Sequence, residues 1–182
     1  MPRRPRTDIP GGIHHIISRG AARLPIYVDD HDRVRFLGLL AYATTDHGWE
    51  FLSYCLMENH YHLLLRTPQP TLRAGMQRLN GSYAQGFNAR HRLVGHVFEG
   101  RYTSVAVTGD AHLRELIRYI SLNPVRAGAC RHPGDWFWSS YSALVGVTTA
   151  PDFLACEEVR RLFDPVAERG ASALRNFIAN QL

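Results

Sequence analysis

Two histidines separated by one residue stand in an apolar run, Met57-Glu58-Asn59-His60-Tyr61-His62-Leu63-Leu64-Leu65. If this run is a β-strand, residues i and i+2 point to the same face, so His60 and His62 lie side by side and Tyr61 points the other way. Neutral imidazole is the commonest nitrogen ligand of metal ions in proteins. The pair is therefore either half of a divalent-metal site or two exposed or hydrogen-bonded histidines on a sheet face.

A second stretch whose side chains could take part in a reaction runs from Asp110 to Asn123. Its apolar residues recur at helical spacing, at Leu113, Leu116, Ile117 and Ile120, which predicts an amphipathic helix. Thr108 or Asp110 can cap its start, and Pro124 is expected to stop it. Tyr119 and Asn123 are one turn apart and share a flank beside the packing face. They are either a hydroxyl and an amide available for chemistry, or a half-buried tyrosine and a C-terminal asparagine cap.

Four stretches follow one another in a specific order: Met57 to His62, Phe98 to Tyr102, Tyr119 to Gly128, and Trp138 to Tyr141. This succession resembles the REP-associated tyrosine transposases (RAYT). These are relatives of the smallest insertion-sequence transposases, within the superfamily of His-hydrophobic-His (HUH) single-strand nucleases. The resemblance covers roughly residues 2–144. The chain departs from the family's pattern at Glu58, where proline is usual, and at Ala21-Ala22, where asparagines are expected.

The resemblance implies an enzyme, a metal-dependent endonuclease and transposase that cleaves and rejoins single-stranded DNA near hairpin repeats. Tyr119 would be the catalytic nucleophile and would form a 5′-phosphotyrosine with a free 3′-OH. His60, His62 and Asn123 would hold a divalent metal ion, Mg²⁺ or Mn²⁺, and two imidazoles suit Mn²⁺ better. Since a phosphotyrosine conserves the energy of the broken phosphodiester, a second 3′-OH can rejoin the strands.

Charge is consistent with a nucleic-acid partner. The formal net charge is +5 and the pI is about 9.4, and all 21 of the Lys and Arg residues are arginine, which suits bidentate phosphate contacts. We expect DNA contacts from a basic N-terminal arm, from the first strand and from loops near the proposed site. In the first strand, His14 or His15 would supply either a DNA contact or support for a metal ligand. The candidates are Arg3, Arg4, Arg6, His15, Arg19, Arg23, Arg101 and Arg126. The alternative is plain surface solvation and, for His15, a structural role.

Cysteine usage and hydropathy bear on the compartment. The three cysteines, Cys55, Cys130 and Cys156, show no Cys-x-x-Cys spacing, which favours a reducing environment and argues against a structural zinc site. No apolar signal region follows the basic N-terminus, and no apolar run approaches the length of a membrane span. These features predict a cytoplasmic protein without membrane contact.

The elements that would position these residues follow the order β-α-β-β-α-β-α. Strands are predicted at 13–18, 49–57, 60–67 and 104–107. One helix is expected to be capped by Asp29 or Asp30, to run to about His47 and to end at Gly48, and a second helix is expected to be capped by Thr71. This pattern predicts an α+β fold. It is a ferredoxin-like βαββαβ antiparallel sheet with helices on one face, plus the tyrosine helix and a C-terminal helical appendage. The first and third strands would be central neighbours. We expect an arm at 1–12, the transposase domain at 13–128 and the appendage at 129–182.

Two other functions remain open from the sequence. One is a non-catalytic, domesticated nucleic-acid-binding protein built on a ferredoxin-like sheet. The other is a replication initiator or relaxase of the same superfamily, although those proteins commonly carry longer chains or additional catalytic elements. Mn²⁺ binding through His60 and His62 separates an enzyme from a plain binder. The sequence also leaves open a homodimer, in which Tyr119 would meet the histidines of a partner chain.

Overall fold

The computed structural model describes residues 9–181. Four strands form one antiparallel sheet in the order β2-β3-β1-β4. They are β1 Gly12–Arg19, β2 Glu50–Leu56, β3 His60–Thr67 and β4 Thr103–Ala106. The long helices are α1 Asp30–His47, α2 Leu72–His91 and α3 Gly109–Arg126. The predicted α+β, ferredoxin-like arrangement is confirmed, including the central pairing of β1 with β3.

The two faces of the sheet are covered by different helices. Side chains alternate along β3, so Tyr61 points towards α1 and α2, where its ring lies 4.8 Å from that of Phe36 and its hydroxyl donates to Asn80 Oδ1 at 2.6 Å. His62 points the opposite way, towards α3, where its ring meets Tyr119. The alternation thus separates an apolar core on one face from a cluster of titratable side chains on the other.

Residues after α3 pack against the outer strand β2 and against α3. The backbone N–H of Leu56 donates to the carbonyl of Trp138 at 2.9 Å, and Arg66 of β3 forms ion pairs with Glu50 and Glu158. Three short helices complete this region, α4 Tyr141–Leu144, α5 Cys156–Arg161 and α6 Ala167–Ala179. No helix within residues 9–181 has the length and apolar character needed to cross a membrane.

Pro124 does not stop α3, contrary to the prediction, and the helix continues to Arg126. Proline lacks the N–H that would bond to the carbonyl of Ile120, but its ring is buried and the following turn closes through Ala127 N–H to Asn123 O at 3.0 Å. The extra turn matters because it carries Arg126 back beside Tyr119.

Two of the expected helix caps are used differently. Thr71 precedes α2, but its hydroxyl accepts a hydrogen bond from the indole N–H of Trp49 at 2.9 Å instead of capping the helix. Thr108 precedes α3 without a side-chain cap, and its backbone N–H donates to Nδ1 of His112 at 3.2 Å. Asp29 does cap α1, where its carboxylate accepts from the N–H of Asp32 at 3.2 Å.

A buried carboxylate ties α1 to the end of α2. Asp32 is 1% exposed and accepts hydrogen bonds from the N–H of Val28 at 2.8 Å, from Arg90 at 2.8 Å and from His91 at 2.9 Å. Burial raises the pKa of Asp32, but these contacts outweigh it and lower the pKa overall. The hydrogen bond from Arg90 lowers the pKa of neighbouring Asp29 to about 2.

We expect this cluster to make the fold sensitive to acid. Because both carboxyl groups have lower pKa values in the folded chain than in the unfolded chain, their stabilising effect is complete above about pH 4 and is lost as the pH falls towards about 2. Arg90→Met should lower the free energy of unfolding at neutral pH, because buried Asp32 then loses its charged partner, and should flatten this pH dependence. Urea unfolding at neutral and acidic pH measures both effects, with Arg73→Met as the exposed control on the same helix. A pH dependence identical in Arg90→Met and wild type would exclude this origin.

Candidate active site

His60 and His62 lie together at the start of β3, on the face that α3 covers, as their spacing predicts. Their ring centroids are 5.1 Å apart, and His62 is 3% exposed whereas His60 is half-buried. Burial, followed by His15, His60 and Arg19, lowers the pKa of His62 to about 3. Burial and the charge of Arg19 also lower the pKa of His60. Both rings are therefore neutral near pH 7, which is the form that binds metal ions.

Tyr119 reaches the same place from α3. Its ring stands perpendicular to that of His62, with centroids 5.5 Å apart, and the residue is 37% exposed. Cζ of Arg126 lies 5.4 Å from the ring centroid, over the ring. A solvent-accessible phenol is thus held beside the histidine pair and beside a permanent positive charge, all within one chain.

Asn123 supplies a third group. In residues 9–181 no three His, Cys, Asp or Glu side chains come together to hold a metal ion, so a site here needs a ligand of another type. The Oδ1 atom of Asn123 is buried and has no donor while His60 is neutral, whereas a hydrogen bond from protonated His60 to the amide raises the pKa of that imidazole. Nδ1 of His60 donates to Oδ1 of Asn59 at 2.8 Å, which leaves its Nε2 lone pair available. Two imidazoles and an orphaned amide oxygen fit a divalent cation such as Mn²⁺.

His15 supports His62 from the neighbouring strand. Its Nε2 lies 3.0 Å from Nδ1 of His62, the two rings stack at a centroid distance of 5.2 Å, and His15 is 5% exposed. If Nδ1–H of His62 donates to His15, Nε2 of His62 keeps the lone pair that a metal ion requires. Burial and His112 lower the pKa of His15 to about 4, so it remains a neutral acceptor. The sequence left open whether His15 supports a metal ligand or contacts DNA. Its placement against His62 favours support of a metal ligand.

We expect His15→Leu to weaken Mn²⁺ binding by about 10- to 100-fold, because nothing then selects the tautomer of His62. His15→Gln should retain most of the affinity, since the Gln carbonyl can accept the same hydrogen bond. Calorimetric titration of Mn²⁺ without DNA measures this difference independently of any reaction. Equal affinities in the Leu and Gln variants would show that His15 only fills space.

The arginines predicted to contact DNA fall into four groups. Arg19 lies half-buried at the site, since it pairs in register with His60 and its charge acts on both histidines. Arg23 and Arg101 are exposed in the flanking loops, and Arg126 lies over Tyr119. The remaining three lie outside the described residues: Arg3, Arg4 and Arg6.

The sequence singled out Phe98 to Tyr102 as a motif but did not predict the pairing of the segment Val97–Glu99. It extends the end of β1, with Ala21 N–H donating to the carbonyl of Val97 and Glu99 N–H to that of Arg19, both at 2.9 Å. Phe98 forms an isolated bridge with Gly20. Apart from the motif, the sequence signal for this pairing is the pair of glycines on either side, Gly95 and Gly100, because three residues are too few to show a strand's alternation.

Comparison with known proteins supports the resemblance seen in the motifs. The family model of IS200-like transposases matches residues 11–123, which include the histidine pair, Tyr119 and Asn123. The structure of a REP-associated tyrosine transposase bound to a REP hairpin is similar, with a TM-score of 0.69 at 18% identity over 85% of this chain and 92% of that chain. A transposase-like protein from Deinococcus radiodurans R1 matches at 20% identity over 63% of this chain and 92% of that one, but its TM-score of 0.46 is too low to support an argument. No curated protein sequence matches.

Proposed function

The chain belongs to the family of IS200-like transposases, and we propose that it is a metal-dependent tyrosine transposase that cleaves and rejoins single-stranded DNA beside hairpins. One observation carries the proposal. A single chain brings the Tyr119 ring to 5.5 Å from that of His62, within a cluster that also holds His60 and the unpartnered Oδ1 of Asn123. A plain DNA-binding protein has no need for neutral buried imidazoles next to an accessible phenol.

Each residue has a defined task in the proposed reaction. His60, His62 and Asn123 would hold the divalent cation, which when bound polarises a non-bridging oxygen of the scissile phosphate. Tyr119 Oη attacks phosphorus, so that the new O–P bond forms as the bond to the 3′ oxygen breaks. The departing strand takes up a proton to end in a 3′-OH. Arg126 and Arg19 place positive charge where negative charge develops.

The same groups support rejoining of strands. Attack by a different 3′-OH on the phosphotyrosine restores a phosphodiester and returns the proton to Tyr119, so no outside energy source is needed. Because His15 and Asn59 orient the two imidazoles, the site keeps its geometry between the two steps. The proposal is also that the site is completed in cis, since one chain supplies all the proposed reacting groups.

A hairpin is the proposed DNA partner. The solved REP-associated relative is bound to a REP hairpin, and this chain has a net charge of +5 with arginines around the site. Phosphate contacts from such side chains position DNA and make binding sensitive to salt.

A labelled cleavage assay tests the proposal. Single-stranded hairpin DNA from the flank of the gene is incubated with the protein in Mn²⁺ or in EDTA and separated on a denaturing gel. We expect a metal-dependent adduct that retains a 3′-end label, while a 5′-end label leaves on a fragment with a free 3′-OH. Tight hairpin binding without any adduct would instead support a non-catalytic binder. Release of both fragments without an adduct would indicate hydrolysis by water.

A further inference from the structure

A cavity of about 600 Å³ lies between α2 and the loop that leads into β4. One flank of α2 forms one wall, and the residues Gly95 to Phe98 and Gly100 to Tyr102 form the other. Its volume lies in the range of sites that hold a small organic group. None of the groups assigned above to the reaction lines it, so the reaction does not account for its presence.

The cavity adjoins the strand end that carries the proposed site through residues that it shares with a second cavity. A smaller cavity of about 230 Å³ is lined by Arg19 and shares Gly100 and Arg101 with the larger one. Arg19 is the register partner of His60. The loop between the two cavities is held in place, because the backbone N–H of Glu99 donates to the carbonyl of Arg19 at 2.9 Å. The shared residues Gly100 and Arg101 therefore place the larger cavity next to the position where a DNA strand held at His60 would pass Arg19.

The lining suits a base and its phosphate. Arg73, His96 and Arg101 contribute basic groups, and no acidic side chain belongs to the described lining of the larger cavity. Glu99, which lines the smaller cavity, is the one acidic group on the path. Phe98 offers an aromatic surface and Gln77 an amide that can donate and accept hydrogen bonds. Basic grooves interleaved with aromatic surfaces are typical of single-strand binding sites.

We propose that this cavity receives one unpaired nucleobase of the single-stranded DNA next to the cleavage position, with Arg101 contacting its phosphate. The inference rests on the proposed function and adds to it a site of base recognition. It separates the recognition of flanking DNA from the reacting groups, which lie on the other face of the sheet.

Two glycines make a matched test. Gly81 lines the cavity from α2, and an added Cβ there meets no atom within 4 Å. Gly38 of α1 is equally clear of neighbours but does not line the cavity. Since both are helix-interior glycines, Gly81→Leu and Gly38→Leu should both fold, and only the first adds a side chain to the wall of the cavity.

Binding is measured by fluorescence anisotropy in EDTA, so that cleavage plays no part. The probes are the hairpin with a short single-stranded flank and the same hairpin without it. We expect Gly81→Leu to weaken binding of the flanked hairpin about tenfold and to leave the bare hairpin unaffected. Gly38→Leu should match wild type on both. Equal losses on both probes, or no loss on either, would overturn the base site.

Abasic substitution along the flank locates the base. In wild type, removal of the base at one flank position should lower the affinity for the flanked hairpin about five- to tenfold. The same removal should leave the affinity of Gly81→Leu unchanged. A cost that persists in Gly81→Leu places the base elsewhere and overturns the inference. Failure of the proposed function is separately visible, because wild type would then form no metal-dependent adduct whatever its affinity for the flank.

Discussion

Tyr119→Phe is expected to abolish the covalent protein–DNA adduct and to reduce cleavage by about 10³-fold or more, while hairpin binding stays within about twofold of wild type. The substitution removes only the hydroxyl oxygen. The ring keeps its contacts with His62 and with Arg126, so neither the packing of α3 nor the surrounding charge changes. Denaturing gels measure the adduct, and anisotropy in EDTA measures binding.

Tyr42→Phe is the matched control for this substitution. Tyr42 is 47% exposed on α1, and its hydroxyl bonds to Asp46 and Arg78, far in the fold from the histidine pair. The control should form the adduct at the wild-type rate. An adduct that survives in Tyr119→Phe and disappears with another tyrosine would reassign the nucleophile. Loss of hairpin binding in Tyr119→Phe would show instead that the phenol contacts DNA.

The double variant His60→Gln/His62→Gln is expected to weaken Mn²⁺ binding by about 100-fold or more and to remove the adduct. Both imidazoles are neutral in the folded chain, so replacing them with a neutral side chain of similar size removes the lone pairs without removing a charge. Calorimetry measures Mn²⁺ affinity without DNA. Thermal unfolding gives a second readout, because a metal that binds only the folded chain raises Tm.

His31→Gln controls for non-specific loss of an imidazole, since His31 is exposed on α1. It should bind Mn²⁺ as wild type does. If the double variant still binds Mn²⁺ tightly, the metal lies elsewhere. Asn123→Ala should have a smaller effect, about tenfold, because two ligands remain. A wild-type affinity for Asn123→Ala would exclude the amide as a ligand.

Local patterns were enough to predict most of the secondary structure. The β3 bounds, 60–67, were predicted in full, and Asp29 and Gly48 enclose α1 as expected. The strand period also placed His60 and His62 on one face. The approach of Tyr119 to that face could not follow from periodicity, because the docking of α3 depends on contacts about sixty residues apart; the motif resemblance alone suggested it.

Tertiary contacts explain where local rules failed. The helix α3 continues past its expected end because Pro124 is buried and the turn after it is hydrogen-bonded. The hydroxyl of Thr71 does not cap α2 because it accepts a hydrogen bond from the indole of Trp49. The loop after β1 shows the same conflict. Ala22 and Arg23 have φ values of 52° and 60°, a left-handed conformation that asparagine tolerates better than alanine. The asparagine that the resemblance leads us to expect at position 22 would fit that backbone, so Ala22 adds strain to the loop after Arg19.

The alternation of side chains along β3 has a consequence for how such a protein can change. Tyr61 packs in the core on one face of the sheet and is hydrogen-bonded to Asn80, while His60 and His62 lie on the opposite face. Exposed side chains of α2 that make none of these contacts, such as one added at Gly81, can therefore be changed while the proposed reacting groups stay in place. Substitutions on one side of the sheet could therefore change which DNA sequence is recognised during evolution. The same substitutions could be engineered to redirect the protein while leaving the proposed reacting groups intact.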